Sequence, residues 1–173
     1  MLIAMAGLPA AGKSTIAGIL GGRLSASLVS VEPIESAILR AGIGSDQPTG
    51  LAAYLVAETI AELVLESGHD VIVDGVNGVD PAREQWVQLA LSRGATLRFI
   101  EVICSDPELH RERLEARAQR LPRLNRPRGH AVEQSLDEYL PWAGASALVP
   151  RITLDSVRPL GVNVDAAVAF ITG

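Results

Sequence analysis

The chain has 173 residues, 48 % of them hydrophobic, 20 % charged and 3 % aromatic, which excludes a disordered polypeptide and leaves Leu, Val, Ile and Ala to fill the core. A formal net charge of −5 argues against a partner held through nucleic-acid phosphates, and the single cysteine, Cys104, excludes an intramolecular disulfide. The longest apolar stretches, such as Leu51 to Ala57, are far shorter than a membrane span.

No basic leader precedes Leu2, so the chain is expected to act in the cytoplasm, as one domain spanning 1–173. Short apolar runs alternate with helical patterns, the signature of a parallel sheet with crossover helices. Leu2 to Ala6 predicts a first strand, Gly7 to Gly12 a turn, and Ile16, Ile19, Leu20 and Leu24 recur at helical spacing. Leu28 to Val31 predicts a second strand ending at Glu32, with Pro33 opening a short helix. Ala41 to Gly50 reads as a loop, and Leu51 to Ser67 as a long helix stopped by Gly68.

Val71 to Val73 predicts a third strand, followed by a helix that starts at Asp80-Pro81 and ends at Gly94. Thr96 to Cys104 is apolar nearly throughout, as expected of a strand covered on both faces, and places Cys104 in the core. Asp106-Pro107 repeats the cap-plus-proline start and leads into an Arg-rich helix to about Gln119. Leu121 to Gly129, with two Pro and several Arg, predicts the outer part of a solvated lid covering about 106–130. Arg151 to Leu154 is a fifth strand and Val164 to Ile171 a closing helix. These elements amount to a three-layer α/β fold: a five-stranded, mostly parallel sheet between helices.

Gly7-Leu8-Pro9-Ala10-Ala11-Gly12-Lys13-Ser14 satisfies G-x-x-x-x-G-K-[ST] at every fixed position, after an apolar strand and before an amphipathic helix. Gly7 and Gly12 allow backbone angles that aim successive N–H groups at phosphate oxygens, and the helix N-terminus adds its positive end. Lys13, the only lysine in the chain, is expected to reach the β- and γ-phosphates of ATP. Ser14 is expected to ligate Mg²⁺, with Thr15 beside it. Asp74, ending an apolar strand, is the expected second holder of the metal.

Glu32 is the candidate base for an attacking hydroxyl, with Glu35 able to fill the same place one turn on. Glu32, Arg40, Asp74 and Asn77 form the candidate acceptor side, with Asn77 equally suited to stabilising its own turn. Seven of the fourteen arginines fall between Arg111 and Arg128, and Arg113, Arg117 and Arg120 share one helix face. Arginine forks suit phosphate oxygens, so Arg113 and Arg117 are candidate catalytic residues and Arg117 is also a candidate nucleotide contact. The competing reading of the helix is a solvated face paired internally through Glu112 and Glu115. His69, His110 and His130 show no metal-ligand spacing, Tyr139 and Trp142 read as packing residues, and Trp86 lies on a helix facing the sheet or solvent with no assigned role.

With the phosphate loop, the Val73-Asp74-Gly75-Val76-Asn77 stretch and the Glu112-Arg113-Leu114-x-x-Arg117 helix, the chain resembles small P-loop kinases of the nucleoside-monophosphate-kinase-like fold. The branch it is similar to includes chloramphenicol phosphotransferase, polynucleotide 5′-kinase, gluconate kinase and zeta-toxin-type kinases. The resemblance implies Asp74 at the magnesium, Arg113 and Arg117 on the lid, and the segment from Ile152 to Pro159 near the adenine, with Arg158 as a nucleotide contact. It also implies a base at Glu32, where this group often carries Asp.

The expected activity is transfer of the γ-phosphoryl group of ATP to a hydroxyl of a small molecule. A polynucleotide 5′-hydroxyl kinase and a non-catalytic ATP-binding regulatory module are the alternatives. The first is disfavoured by charge and by the scarcity of aromatic platforms, the second by the intact Lys13, Ser14 and Asp74. A guanine-nucleotide switch lacks its Asn-Lys-x-Asp motif.

Overall fold

The computed structural model describes residues 1–44, 46–120 and 139–173. Among these, five strands lie side by side in the order β2-β3-β1-β4-β5, every neighbouring pair parallel. They are β1 (Leu2–Ala6), β2 (Ser27–Ser30), β3 (Val71–Asp74), β4 (Leu97–Ile103) and β5 (Arg151–Asp155). The helices are α1 (Lys13–Leu24), α2 (Val31–Arg40), α3 (Thr49–Glu66), α4 (Asp80–Arg93), α5 (Pro107–Arg120) and α6 (Leu160–Thr172), with a short 3₁₀ turn at Ser146–Leu148.

Side chains alternate across each strand, so one sheet supplies two cores. Leu2, Ala4, Val71, Val73 and Phe99 face α3 and α4 and meet the buried Trp86. Ile3, Met5, Ile72, Ile100 and Val102 face α1 and α6 and meet Ile16, Leu20, Val164 and Ile171. Ala53, Ala57 and Ala61, all fully buried, form the inner stripe of α3. Alanines at every fourth position bring that helix close to the sheet. The near absence of aromatic residues is thus met by branched aliphatics on the strands and small residues on the helices.

Most element ends agree with the predicted ones within a residue or two. The junction after β2 differs in a way that matters. The strand stops at Ser30, whose backbone is extended (φ −109°, ψ 124°), and Val31 and Glu32 already belong to α2. Pro33 therefore sits within the first helical turn. It is tolerated there because the first N–H groups of a helix have no partner inside it. Residue 49 opens α3 inside the predicted loop, and α6 begins at Leu160, a full turn before the predicted start. Cys104 does not lie in the core: β4 ends at Ile103, and the part-exposed thiol donates to the Asp106 carbonyl at 3.4 Å. The predicted lid is described only as far as α5, and its remainder to residue 130 lies outside the described residues. No described helix is long and apolar enough to cross a membrane.

Strand register sets the site. Met5 pairs with Asp74, and Asp74 pairs with Ser30. The residues just beyond these three positions lie together at the carboxyl edge of the sheet: the glycine loop after β1, Gly75 after β3 and Glu32 after β2.

Candidate active site

The loop after β1 folds back through backbone contacts. Gly7 has φ 134°, and a β-carbon there would lie 2.1 Å from the Val102 carbonyl oxygen of β4. Only glycine fits, and its N–H donates to the Val76 carbonyl at 2.9 Å, joining the loop to the segment behind Asp74. Gly12, at φ 105°, turns the chain into α1.

Lys13 opens α1 and is only 7 % exposed; its ammonium donates to the Leu8 carbonyl at 2.8 Å. Burial lowers its pKa from 10.5 to about 8. Asp74 opposes that shift, Arg117 adds to it and Glu32 opposes it, so four charged groups act on one another here. Asp74 is 7 % exposed at the end of β3. Ser14 and Thr15 are exposed in the first turn of α1.

Beside the loop lies a cleft of about 880 Å³, within the range of small-ligand sites. Ala10, Gly12, Lys13, Ser14 and Thr15 line one side. Arg113, Arg117 and Arg158 line the other, so the expected nucleotide contacts from α5 and from the turn after β5 do converge. Leu8 and Pro9 are part-exposed and Ala11 is buried in the core.

Arg117 pairs with Glu32, joining α5 to the first turn of α2. The helix is thus tied across the cleft, which the internal pairing with Glu112 and Glu115 does not anticipate. Arg113 donates to the Ser156 hydroxyl at 2.8 Å, fixing α5 to the turn after β5. The Asp155 carboxylate accepts from the Ser105 and Val157 N–H groups, both at 3.1 Å, and the Ser105 side chain together with these bonds holds its pKa below the usual range.

Asn77 and Arg40 do not join this group as expected. Asn77 is fully buried with φ 45°. Its amide donates to the Met5 carbonyl at 2.6 Å and accepts from Trp86 Nε1 at 2.9 Å, so it stitches β1 to α4 and presents no exposed atom to an acceptor. Arg40 is exposed in the last turn of α2, at the far end of that helix from Glu32. Glu35 accepts from the Thr49 hydroxyl at 2.9 Å and braces α2 against α3.

Two residues stand out that sequence reasoning passed over. His110, in the first part of α5, is 9 % exposed, and its Nε2 lies 2.8 Å from the Pro9 carbonyl oxygen. It precedes Arg113 by three residues and Arg117 by seven, so the shared helix face was the available signal. Arg83 is wholly buried in α4 and gave no signal, since a lone helical arginine reads as solvated. Its guanidinium donates to the carbonyls of Asn77, Gly78, Leu140 and Pro141 and stacks on Trp142 at 4.1 Å. It thereby holds the chain at 140–142 against the loop after Asp74. Glu101 completes that anchor. Although burial opposes it, bonds from Trp142, Tyr139 and Thr153 keep its carboxyl below the usual range.

The same fold recurs in solved structures. A candidate kinase from Chloroflexus aurantiacus superposes with TM-score 0.76 at 23 % identity, over 99 % of this chain and 93 % of that one. Chaetomium thermophilum Kti12, in complex with ADP-AlF3, gives 0.73 at 20 % identity over the full length of both chains. The Mycobacterium tuberculosis APS kinase CysC, in complex with AMPPNP and APS, gives 0.68 at 16 % identity over 99 % and 97 %. No curated protein matches the chain. The AAA domain family AAA_33 matches residues 2–141, and the chain therefore belongs to that family, with the α/β fold of the small P-loop kinases.

Proposed function

We propose that the protein is an ATP-dependent phosphotransferase that moves the γ-phosphoryl group of ATP to a hydroxyl of a small molecule. The observation that carries this reading is the Arg117–Glu32 pair, which bridges the lid helix and α2 beside Lys13 and Asp74. A part-exposed pair of this kind contributes about 1 kcal/mol or less, so a phosphate displaces it at little cost.

In this reading the backbone of residues 7–15 cradles the phosphates, with Lys13 on the β- and γ-oxygens. The left-handed turn at Gly12 and an ammonium desolvated without a full counter-charge fit such an anion. The Ser14 hydroxyl and Asp74 carboxylate are hard oxygen donors that fit Mg²⁺, which would neutralise charge on the β- and γ-phosphates. Arg117 leaves Glu32 for the transferring phosphoryl group, and Arg113 and Arg158 close the nucleotide side. Glu32, once free, accepts the proton of the acceptor hydroxyl. Coupling the release of Glu32 to the arrival of phosphate keeps the base occupied when no nucleotide is present.

The test is ATP consumption with Mg²⁺ against nucleosides, sugar acids, hydroxylated antibiotics and 5′-hydroxyl oligonucleotides. Strong stimulation by one class, abolished in Lys13→Ala, is the expected result. Tight ATP binding with no stimulation by any class would turn the reading toward a nucleotide-dependent regulatory module.

A further inference from the structure

We propose that His110 is a positioning residue for nucleotide binding: its Nε2–H holds the Pro9 carbonyl and thereby aims the Ala10 N–H into the phosphate cradle. The inference rests on the nucleotide reading above and assigns a task to a buried side chain that the reading leaves unused.

The bond fixes its own tautomer. A carbonyl oxygen can only accept, so at 2.8 Å the hydrogen is on Nε2. In a planar trans peptide the C=O and the following N–H point in opposite directions. Drawing the Pro9 carbonyl toward the His110 ring therefore turns the Ala10 N–H away from that ring. Ala10 itself lines the cleft beside Lys13.

The orientation needs holding, because Ala10 lies at φ 60°. That left-handed region is disfavoured for a residue with a β-carbon, and flipping the Pro9–Ala10 peptide is the obvious relief. A part-buried hydrogen bond from a fixed donor opposes the flip. The donor is fixed on its own side. Asp106 caps α5, its Oδ1 accepting from the Glu108 and Leu109 N–H groups at 3.0 and 3.1 Å, and Arg113 one turn on is anchored to Ser156. The phase of the helix set by that cap presents His110, Arg113 and Arg117 on one side, the first to the loop backbone and the others to the cleft.

The experiment measures ATP and inorganic tripolyphosphate binding by calorimetry for the wild type, His110→Phe and His110→Gln, with thermal melting alongside. Phenylalanine keeps the bulk and loses the donor; the glutamine amide restores a donor near the Nε2 position. The expected result is an affinity for both ligands about tenfold weaker in His110→Phe, near-normal affinity in His110→Gln, and little change in melting temperature. Wild-type affinity in His110→Phe overturns the proposal. A folded His110→Gln that binds as weakly as His110→Phe, or alone binds weakly where His110→Phe does not fold, overturns it too. A wild type that binds neither ligand defeats the nucleotide reading and this inference with it, whereas wild-type binding with an unchanged His110→Phe defeats this inference alone.

Discussion

Replacing Lys13 with Met tests the electrostatics of the site without any assumption about the acceptor. In the folded protein burial lowers the Lys13 pKa from 10.5 to about 8. At about 1.4 kcal/mol per pH unit, holding this ammonium charged costs the folded state about 3 kcal/mol at pH 7. The unfolded chain keeps the proton up to about pH 10.5, while the folded chain releases it near pH 8. Between those values unfolding takes up a proton, so the cost recedes and stability rises with pH. From pH 7 to pH 9.5 the gain is about 2 kcal/mol. Tyr54 and Tyr139, both raised by burial, titrate later than in the unfolded chain and act above pH 10 in either protein. Urea denaturation of nucleotide-free wild type and Lys13→Met at the two pH values isolates the lysine as the difference of differences. Parallel stability changes in both proteins would refute the desolvated-lysine argument.

The remaining predictions use other groups or the same one with ligand. ATP binding at pH 8 is expected to take up about half a proton as the phosphates restore the Lys13 charge, read as a dependence of the calorimetric heat on buffer ionisation enthalpy; no uptake would place the lysine away from the phosphates. Glu32→Gln is expected to lower kcat by about a hundredfold or more with ATP affinity retained, and an unchanged kcat would move the base elsewhere. Asn77→Ala leaves the Trp86 Nε1–H and the Met5 carbonyl without partners and puts a β-carbon with no compensating bond at φ 45°, so urea unfolding should show a loss of about 3 kcal/mol; a loss below about 1 kcal/mol would contradict the stitching role.

What the sequence determined by itself is what local chemistry dictates. The glycine–lysine–serine spacing between an apolar strand and a helix specifies the phosphate loop, because only glycine tolerates the turn and only backbone N–H groups and Lys13 supply the positive site. The alternation of apolar runs with helical periods specifies the parallel sheet, since strands covered on both faces lose their polar side. The Asp106 cap was legible for the same reason: a short side chain bonds N–H groups two and three residues away.

What only the tertiary structure decided depends on which distant residues meet. Asn77 read as an acceptor contact because it follows Asp74 in sequence, but its amide turns into the interior, where Met5 and Trp86 leave unpaired polar groups that only it can satisfy. Glu32 read as a strand end, whereas the strand stops at Ser30 and Glu32 lies in the first turn of α2, within reach of Arg117 some 85 residues away. Arg83 carried no signal because no local pattern records that the carbonyls of Leu140 and Pro141 will need a donor. His110 lay on the same face as two arginines that were noticed, but its partner is a backbone oxygen 101 residues earlier. Chain-local bonds can be read from spacing; bonds closed by packing exist only once the sheet register has brought their ends together.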